Sequence, residues 1–358
     1  MGQTALYERL VAAGAQVGDY LGTETALRFG DARAEFRELC QGCGIYDLGW
    51  RAKILVTGND RARWLNGMVT NNIRDLAVNR GNYNFLLSAQ GRIQADMYIY
   101  NRGEYLLVDT ARWQAPKVME LFDKFIIMDD VEITDASDKL TSLAVQGPRS
   151  REVLERTGFL PSDVDPSQVV DGACGEIGYS VARRPGDASC SYELWIAPSN
   201  AAAVWDALTM SGARPVGTDA LEMFRVWAGI PRYGQDIRER ELPQETEQHQ
   251  ALNFQKGCYL GQEIVERIRS RGQVHRKFTG FVVQGAPPPA GTKVVAEGKD
   301  VGEITSATTV PVNGGEKTLA LGYIRREAGV PGTVVQVDGA EAKVAMLPFK
   351  TDAELVNR

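Results

Sequence analysis

Over residues 92–100 the chain alternates strictly. Ile93, Ala95, Met97 and Ile99 take one side; Arg92, Gln94, Asp96, Tyr98 and Tyr100 take the other. A period of two predicts a strand with one buried face. Runs at 83–87, 105–108, 140–145 and 192–196 predict further strands. Helical spacing shows in four stretches. Asn59 or Asp60 would cap a helix carrying Ala62, Leu65, Met68 and Val69. Val118, Phe122, Phe125 and Ile126 form a second stripe, and Pro148 would open a third helix carrying Val153 and Leu154. Ser199 or Asn200 would cap a fourth, holding Val204, Trp205 and Leu208. Residues 221–230 are apolar nearly all round, which predicts a buried helix. Helices interleaved with mostly antiparallel strands point to an α+β fold.

The pattern changes after about residue 280. Pro287-Pro288-Pro289 and Gly291 mark a connection. Short β-rich runs follow, divided by Gly298, Asn313-Gly314-Gly315, Pro331-Gly332 and Asp338-Gly339. Turn signals at this spacing predict a small all-β barrel, with a boundary near 277–290. A length of 358 residues suits two or three domains. With 44% hydrophobic and 24% charged residues, the chain reads as a soluble globular protein. A net charge of −6 argues against general nucleic-acid binding. No apolar run is long enough to cross a membrane, the N-terminus lacks a signal pattern, and Leu6 breaks a myristoylation motif, so the expected location is cytoplasmic. Five cysteines and two histidines argue against a disulfide framework. Cys40 and Cys43 have C-x-x-C spacing, but no second pair follows and His249 and His275 are far off in sequence. The pair reads as coincidence rather than a zinc site, and a redox or iron–sulfur contact stays open.

Several groups are candidates for chemistry. Asp96 stands on the polar side of its strand, where it is either solvated or set to accept a proton from a ligand. Gln90-Gly91-Arg92 just before it would let a ligand approach the backbone. Glu222 and Arg225 form a plain (i, i+3) pair, or Arg225 emerges to meet an anion. The stretch 267–277 gathers Arg267, Arg269, Arg271, His275, Arg276 and Lys277. It is a solvated edge, or a docking strip for an anionic partner such as a phosphate or RNA. The densest string is Lys256-Gly257-Cys258-Tyr259-Leu260-Gly261-Gln262-Glu263. Its cysteine is a buried structural residue in a tight turn, or a thiol whose pKa Lys256 lowers. The two glycines suit positive φ or close backbone approach.

That string resembles the K-G-C-[FY]-x-G-Q-E signature of the YgfZ family, folate-binding relatives of the glycine-cleavage T-protein. Further blocks are similar to the T-protein superfamily in the same order: Cys43-Gly44-Ile45-Tyr46-Asp47-Leu48, Val69-Thr70-Asn71-Asn72, Gly91 to Asp96, Leu143 to Pro148, Tyr192-Glu193-Leu194, and Tyr233 to Ile237. The likeness runs from about residue 40 into the C-terminal β segment. It implies a three-domain clover-leaf around a central folate site, ending in an all-β barrel. The implied domains are 1–50 with 137–225, 51–136 with 226–276, and 277–358.

The resemblance also implies roles. Asp96 corresponds to the acid beside the reactive folate nitrogens, Tyr83 to a tyrosine against the folate, Glu193 to the pterin-pairing glutamate, and Arg225 to an arginine approaching the folate. Cys258 would be the functional thiol, tuned by Lys256, with Tyr259 and Gln262 shaping the turn. Three departures from T-proteins stand out. Ala95 replaces the first acid of a pair, Gly186 stands where a tyrosine stacks on the pterin, and Cys258 and Gln262 interrupt a K-x-x-F-x-G-[KR]-E pattern. The implied cofactor is tetrahydrofolate or a one-carbon derivative, whose polyglutamyl tail the basic strip 267–277 would dock. The implied function is support of iron–sulfur cluster assembly or repair, and through it of tRNA-modifying enzymes, with assembly proteins or client enzymes as partners. An aminomethyltransferase is the alternative, and a folate-binding sensor or scaffold without turnover a further one.

Overall fold

The alternating stretch forms the strand Ile93–Asn101 in a five-stranded sheet ordered Gly81–Leu87, Ile93–Asn101, Leu106–Ala111, Arg51–Thr57, Glu132–Asp135. This computed structural model describes residues 2–184, 190–272, 274–312 and 315–349. Gly186 and the turn at Asn313-Gly314 lie outside the described residues. The chain divides into two units. One takes Met1–Leu86, Ala95–Ala220 and Gln250–Leu260; the other takes Leu87–Gln94, Leu221–His249 and the chain from Gly261 onward.

In the first unit, Ala95, Met97 and Ile99 enter an apolar core with Ile54, Val56 and Val108 from neighbouring strands. Helices Arg61–Met68 and Ala115–Asp123 close that core through Trp64, Leu65, Val118 and Phe122. The opposite face of the same strand is also covered. Tyr100 and Leu107 pack with Val169, Ala182 and Trp195 from a six-stranded sheet. That sheet runs Val169–Cys174, Ile177–Ala182, Ser191–Ile196, Thr141–Gln146, Gly44–Asp47, Arg214–Pro215. Toward Tyr98 and Tyr100 the polar face of 92–100 is therefore covered by a second sheet, whereas Arg92 stays exposed and Asp96 is half-buried.

The second unit holds the barrel, closed in the order Arg276–Val283, Gly315–Arg325, Lys299–Val312, Lys293–Ala296, Val334–Val337, Ala340–Ala345. Pro287-Pro288-Pro289 joins its first two strands in sequence. Phe281, Ile304, Val294 and Val344 fill its interior. Gly302 pairs with Ile324 and Gly322 with Ile304 on neighbouring strands; an added Cβ would meet Tyr323 O at 2.2 Å at the first and Glu303 O at 2.2 Å at the second. The α+β class and the terminal barrel agree with the sequence reading.

Two helix limits differ from the spacing. The stripe through Phe125 and Ile126 predicts a longer helix, yet it stops at Asp123 and Phe125 is 41% exposed. Past Asp123 the backbone tightens to i→i−3 bonds, Phe125 N–H to Phe122 O and Ile126 N–H to Asp123 O, and the Trp64 indole N–H donates to the Phe125 carbonyl at 3.0 Å. The helix expected from Pro148 begins at Ser150, after a turn at Gly147, whose φ is +123°. No helix among the described residues is long and apolar enough to cross a membrane.

Cys43 is buried beside the short strand Gly44–Asp47, and burial pushes its thiol up from 9.0 to about 12. The folded state then keeps a proton that the unfolded chain loses above about pH 9, so rising pH favours unfolding. The stability difference between wild type and Cys43→Ala should stay constant below pH 9 and shrink above it. Denaturant unfolding of both proteins at pH 7 to 10.5 measures this; a parallel pair of curves would contradict it.

Candidate functional site

Asp96 sits in the middle of its strand, half-buried, between donors from two sides. The Tyr83 hydroxyl, from the adjacent strand, donates to Oδ2 at 2.7 Å. The Gln114 side-chain amide donates to Oδ1 at 2.9 Å. Burial, and next the Asp96 carboxylate, push the Tyr83 phenol well above its ordinary value, so it remains a donor. An ionised carboxylate offers about four acceptor sites. Two are used, and two remain for a ligand. Ala95, by contrast, is fully buried in the core on the other side of the strand. The absent first acid therefore removes nothing from the face that carries Asp96.

A chain of rings and charges runs from Asp96 to Glu193. Tyr83 lies 5.0 Å from Tyr98, and the Arg184 guanidinium lies over Tyr98 at 5.1 Å. Arg184 pairs with Glu193, whose Oε2 also accepts from the Trp195 indole at 3.2 Å. Glu193 and Trp195 share one side of the strand Ser191–Ile196, the side turned to the five-stranded sheet. Beside them Lys53 is fully buried, donating to Asp109 at 2.6 Å and lying 5.1 Å from the Trp195 ring. Burial alone would push the Asp109 carboxyl up; Arg51 and Lys53 outweigh that and hold it below the usual carboxylate range. Glu193 is thus no free edge carboxylate but part of a buried ionic wall. Sequence reasoning missed Arg184, Lys53 and Gln114. Only the charges on the apolar strand 51–57 offered a signal.

The Lys256 string and the Val69-Thr70-Asn71-Asn72 block, far apart in sequence, form one structure. The Lys256 ammonium donates to the carbonyls of Asn66, Val69 and Asn71 at 2.5, 2.6 and 2.7 Å. Its nitrogen also lies 5.0 Å from the Tyr259 ring. Thr70 N–H donates to the Phe85 carbonyl and Thr70 Oγ1 to the Ala251 carbonyl, while Asn71 Nδ2 donates to the carbonyls of Tyr83 and Gln250. Leu260 N–H closes the loop onto Gly67. Burial pulls the Lys256 amine down to about 7. The carbonyls oppose this, because three acceptors match the three N–H bonds of an ammonium and a neutral amine has two.

This geometry corrects two expectations. Cys258 is exposed rather than a buried structural residue. Lys256 directs its ammonium to three backbone carbonyls, where it anchors the loop. Gly257 has neither positive φ nor a close neighbour, whereas Gly261 has φ +79° and a Cβ there would meet Ser88 O at 2.4 Å. Gly261 caps the helix Gln262–Arg271, with Glu263 in its first turn, where a negative charge suits the helix dipole.

In the second unit, Arg225 pairs with Glu222 as the (i, i+3) spacing suggests, and also with Asp236 at 2.7 Å and Ser306 at 2.9 Å. Asp236 is fully buried and further receives Thr305 and Ser306 hydroxyls. Arg225 is the hub of a matched polar cluster. The basic stretch 267–277 is partly neutralised: Arg276 binds Glu245 at 3.0 Å and covers the Tyr323 ring, and Arg269 lies 3.5 Å from Glu266. The Arg271 side chain lies outside the described residues. Among the described residues no group of three or more His, Cys, Asp or Glu could hold a metal ion.

Lys256→Met should lower the unfolding free energy by about 2 kcal/mol or more, since it strands buried carbonyls. Cys258→Ser, at an exposed site, should change it by less than about 0.5 kcal/mol. Urea unfolding of both variants checks the contrast, and equal effects would refute the anchor.

Comparison with known proteins agrees with this architecture. Residues 6–256 match the GCVT N-terminal domain, and residues 276–351 match the glycine cleavage T-protein C-terminal barrel domain. The chain is 30% identical to an aminomethyltransferase of Streptomyces coelicolor, covering 97% of each chain. It is 29% identical to an aminomethyltransferase of Thermus thermophilus, covering 98% of this chain and 99% of that one. The crystal structure of the glycine cleavage system aminomethyltransferase T from Bartonella henselae superposes with a TM-score of 0.87 at 21% identity, covering 97% of each chain, which speaks to the fold. From both domain matches and full-length relatives, the chain belongs to the glycine-cleavage T-protein family.

Proposed function

We propose that this protein binds tetrahydrofolate, or a one-carbon derivative of it, and transfers a one-carbon unit to it in the manner of an aminomethyltransferase. The observation that carries the reading is Asp96: a half-buried carboxylate, held by two donors, with acceptor sites left over. Tetrahydrofolate would supply the amine nitrogen that accepts the carbon. As the new C–N bond forms, the bond from that carbon to the aminomethyl donor would break, its electron pair leaving with the donor's heteroatom, and Asp96 would take the proton that the folate nitrogen releases. Tyr83 would hold the carboxylate and present its ring to the ligand. Glu193, with two partners already bound, keeps acceptor sites for the 2-amino and ring N–H of a pterin. Lys53 and Arg184 offset the charge of the two buried acids. The donor set thus fits a folate. Arg225, matched by Glu222, Asp236 and Ser306, would act as a structural hub rather than a folate anchor.

One observation favours a second reading. Cys258 is exposed, on a loop pinned by Lys256, within the string that resembles the YgfZ signature. In that reading the folate site supports iron–sulfur cluster assembly or repair, and the thiol meets an assembly protein or client enzyme.

The two readings separate in one assay pair. Transfer from an aminomethyl-lipoyl carrier protein to tetrahydrofolate should proceed in wild type and Cys258→Ser. It should fall by about 100-fold or more in Asp96→Asn. No transfer by wild type, with Cys258-dependent recovery of cluster-enzyme activity in cells lacking the protein, would reject the first reading for the second.

A further inference from the structure

Gln114 is one of the groups at this site that neither the motifs nor the family resemblance marks. It is 4% exposed, at the end of a short 3-10 turn, Arg112–Gln114, that leads into the helix Ala115–Asp123. Its amide touches residue 96 twice. Oε1 accepts the Asp96 backbone N–H at 3.2 Å, and Nε2 donates to Asp96 Oδ1 at 2.9 Å. The two contacts fix which way the amide faces, because a flipped amide would set donor against donor and acceptor against acceptor. Thr110 Oγ1 donates to the Asp96 carbonyl at 2.8 Å, and Tyr83 holds the second carboxylate oxygen. Residue 96 is therefore held at its backbone N–H, its carbonyl and both carboxylate oxygens.

We propose that Gln114 is a positioning residue: its amide sets the plane of the Asp96 carboxylate so that the remaining acceptor sites meet the ligand. The inference rests on the tetrahydrofolate reading. Tyr83 and Gln114 divide the work differently. Tyr83 reaches Asp96 from the adjacent strand and also packs against the Phe85 and Tyr98 rings, whereas the Gln114 amide, from the turn before the helix, serves Asp96 alone among the contacts described for it. A donor that stays fixed while the ligand arrives keeps the carboxylate from rotating, which preserves alignment at low entropic cost.

The test compares wild type, Gln114→Met and Gln114→Glu by titration with tetrahydrofolate at pH 5 to 8. Gln114→Met deletes both contacts and should weaken binding about tenfold at every pH. Gln114→Glu keeps the shape but turns the donor into an acceptor. It should weaken binding about 100-fold at pH 8 and recover as the pH falls, because the introduced carboxyl donates once protonated. Unchanged affinity in both variants across this range, with only the melting temperature lowered, would overturn the proposal and leave a structural brace. A second readout needs no ligand. In the 15N NMR spectrum the Gln114 side-chain amide protons should exchange slowly in wild type and quickly in Asp96→Ala; equal exchange rates would also overturn it. Should wild type fail to bind tetrahydrofolate at all, the folate reading falls, and the amide exchange still decides the clamp.

Discussion

The pleat of the strand Ile93–Asn101 is the constraint on which the site depends. Because side chains alternate, one strand supplies Ala95, Met97 and Ile99 to an apolar core and sets Asp96, Tyr98 and Tyr100 against a second sheet. A slip of one residue would bury Asp96 among leucines and isoleucines, so the hydrophobic core itself fixes where the carboxylate points. Toward Tyr98 and Tyr100 the polar side is covered as well, and a charge buried there must find a partner. Lys53 with Asp109 and Arg184 with Glu193 meet that demand.

The Val69-Thr70-Asn71-Asn72 turn ties this sheet to the Lys256 loop. It bonds the strand Gly81–Leu87 on one side and receives the Lys256 ammonium on the other. A buried cation with three carbonyl acceptors is held by charge-assisted hydrogen bonds that a neutral side chain cannot reproduce. The loop is rigid for that reason, and its rigidity is what presents Cys258 at the surface. The two motifs are one mechanical unit, whatever chemistry the thiol performs.

Much of this was legible before any coordinates. Period-two alternation located the strand and its faces, turn signals located the barrel, and the string around Cys258 marked the loop. What stayed hidden had a common cause. Alternation tells which side of a strand is polar but not what lies over it, so the polar face of 92–100 reads equally as solvated or covered. Gln114 and Arg184 act through contacts with residues distant in sequence, and neither carries a local pattern. The closeness of Lys256 and Cys258 in sequence misled because it does not tell where either side chain ends: the ammonium reaches three backbone carbonyls while the thiol is exposed. The helix end at Asp123 has no marker in the apolar spacing, which runs on through Phe125 and Ile126.

The most direct test of the central claim is fluorescence titration of tetrahydrofolate into wild type, Asp96→Asn and Cys258→Ser. The account predicts matching affinity in wild type and Cys258→Ser and a loss of about tenfold or more in Asp96→Asn, the cost of a charged hydrogen-bond partner. Equal affinity in all three, or binding in none, would contradict a folate site built on Asp96.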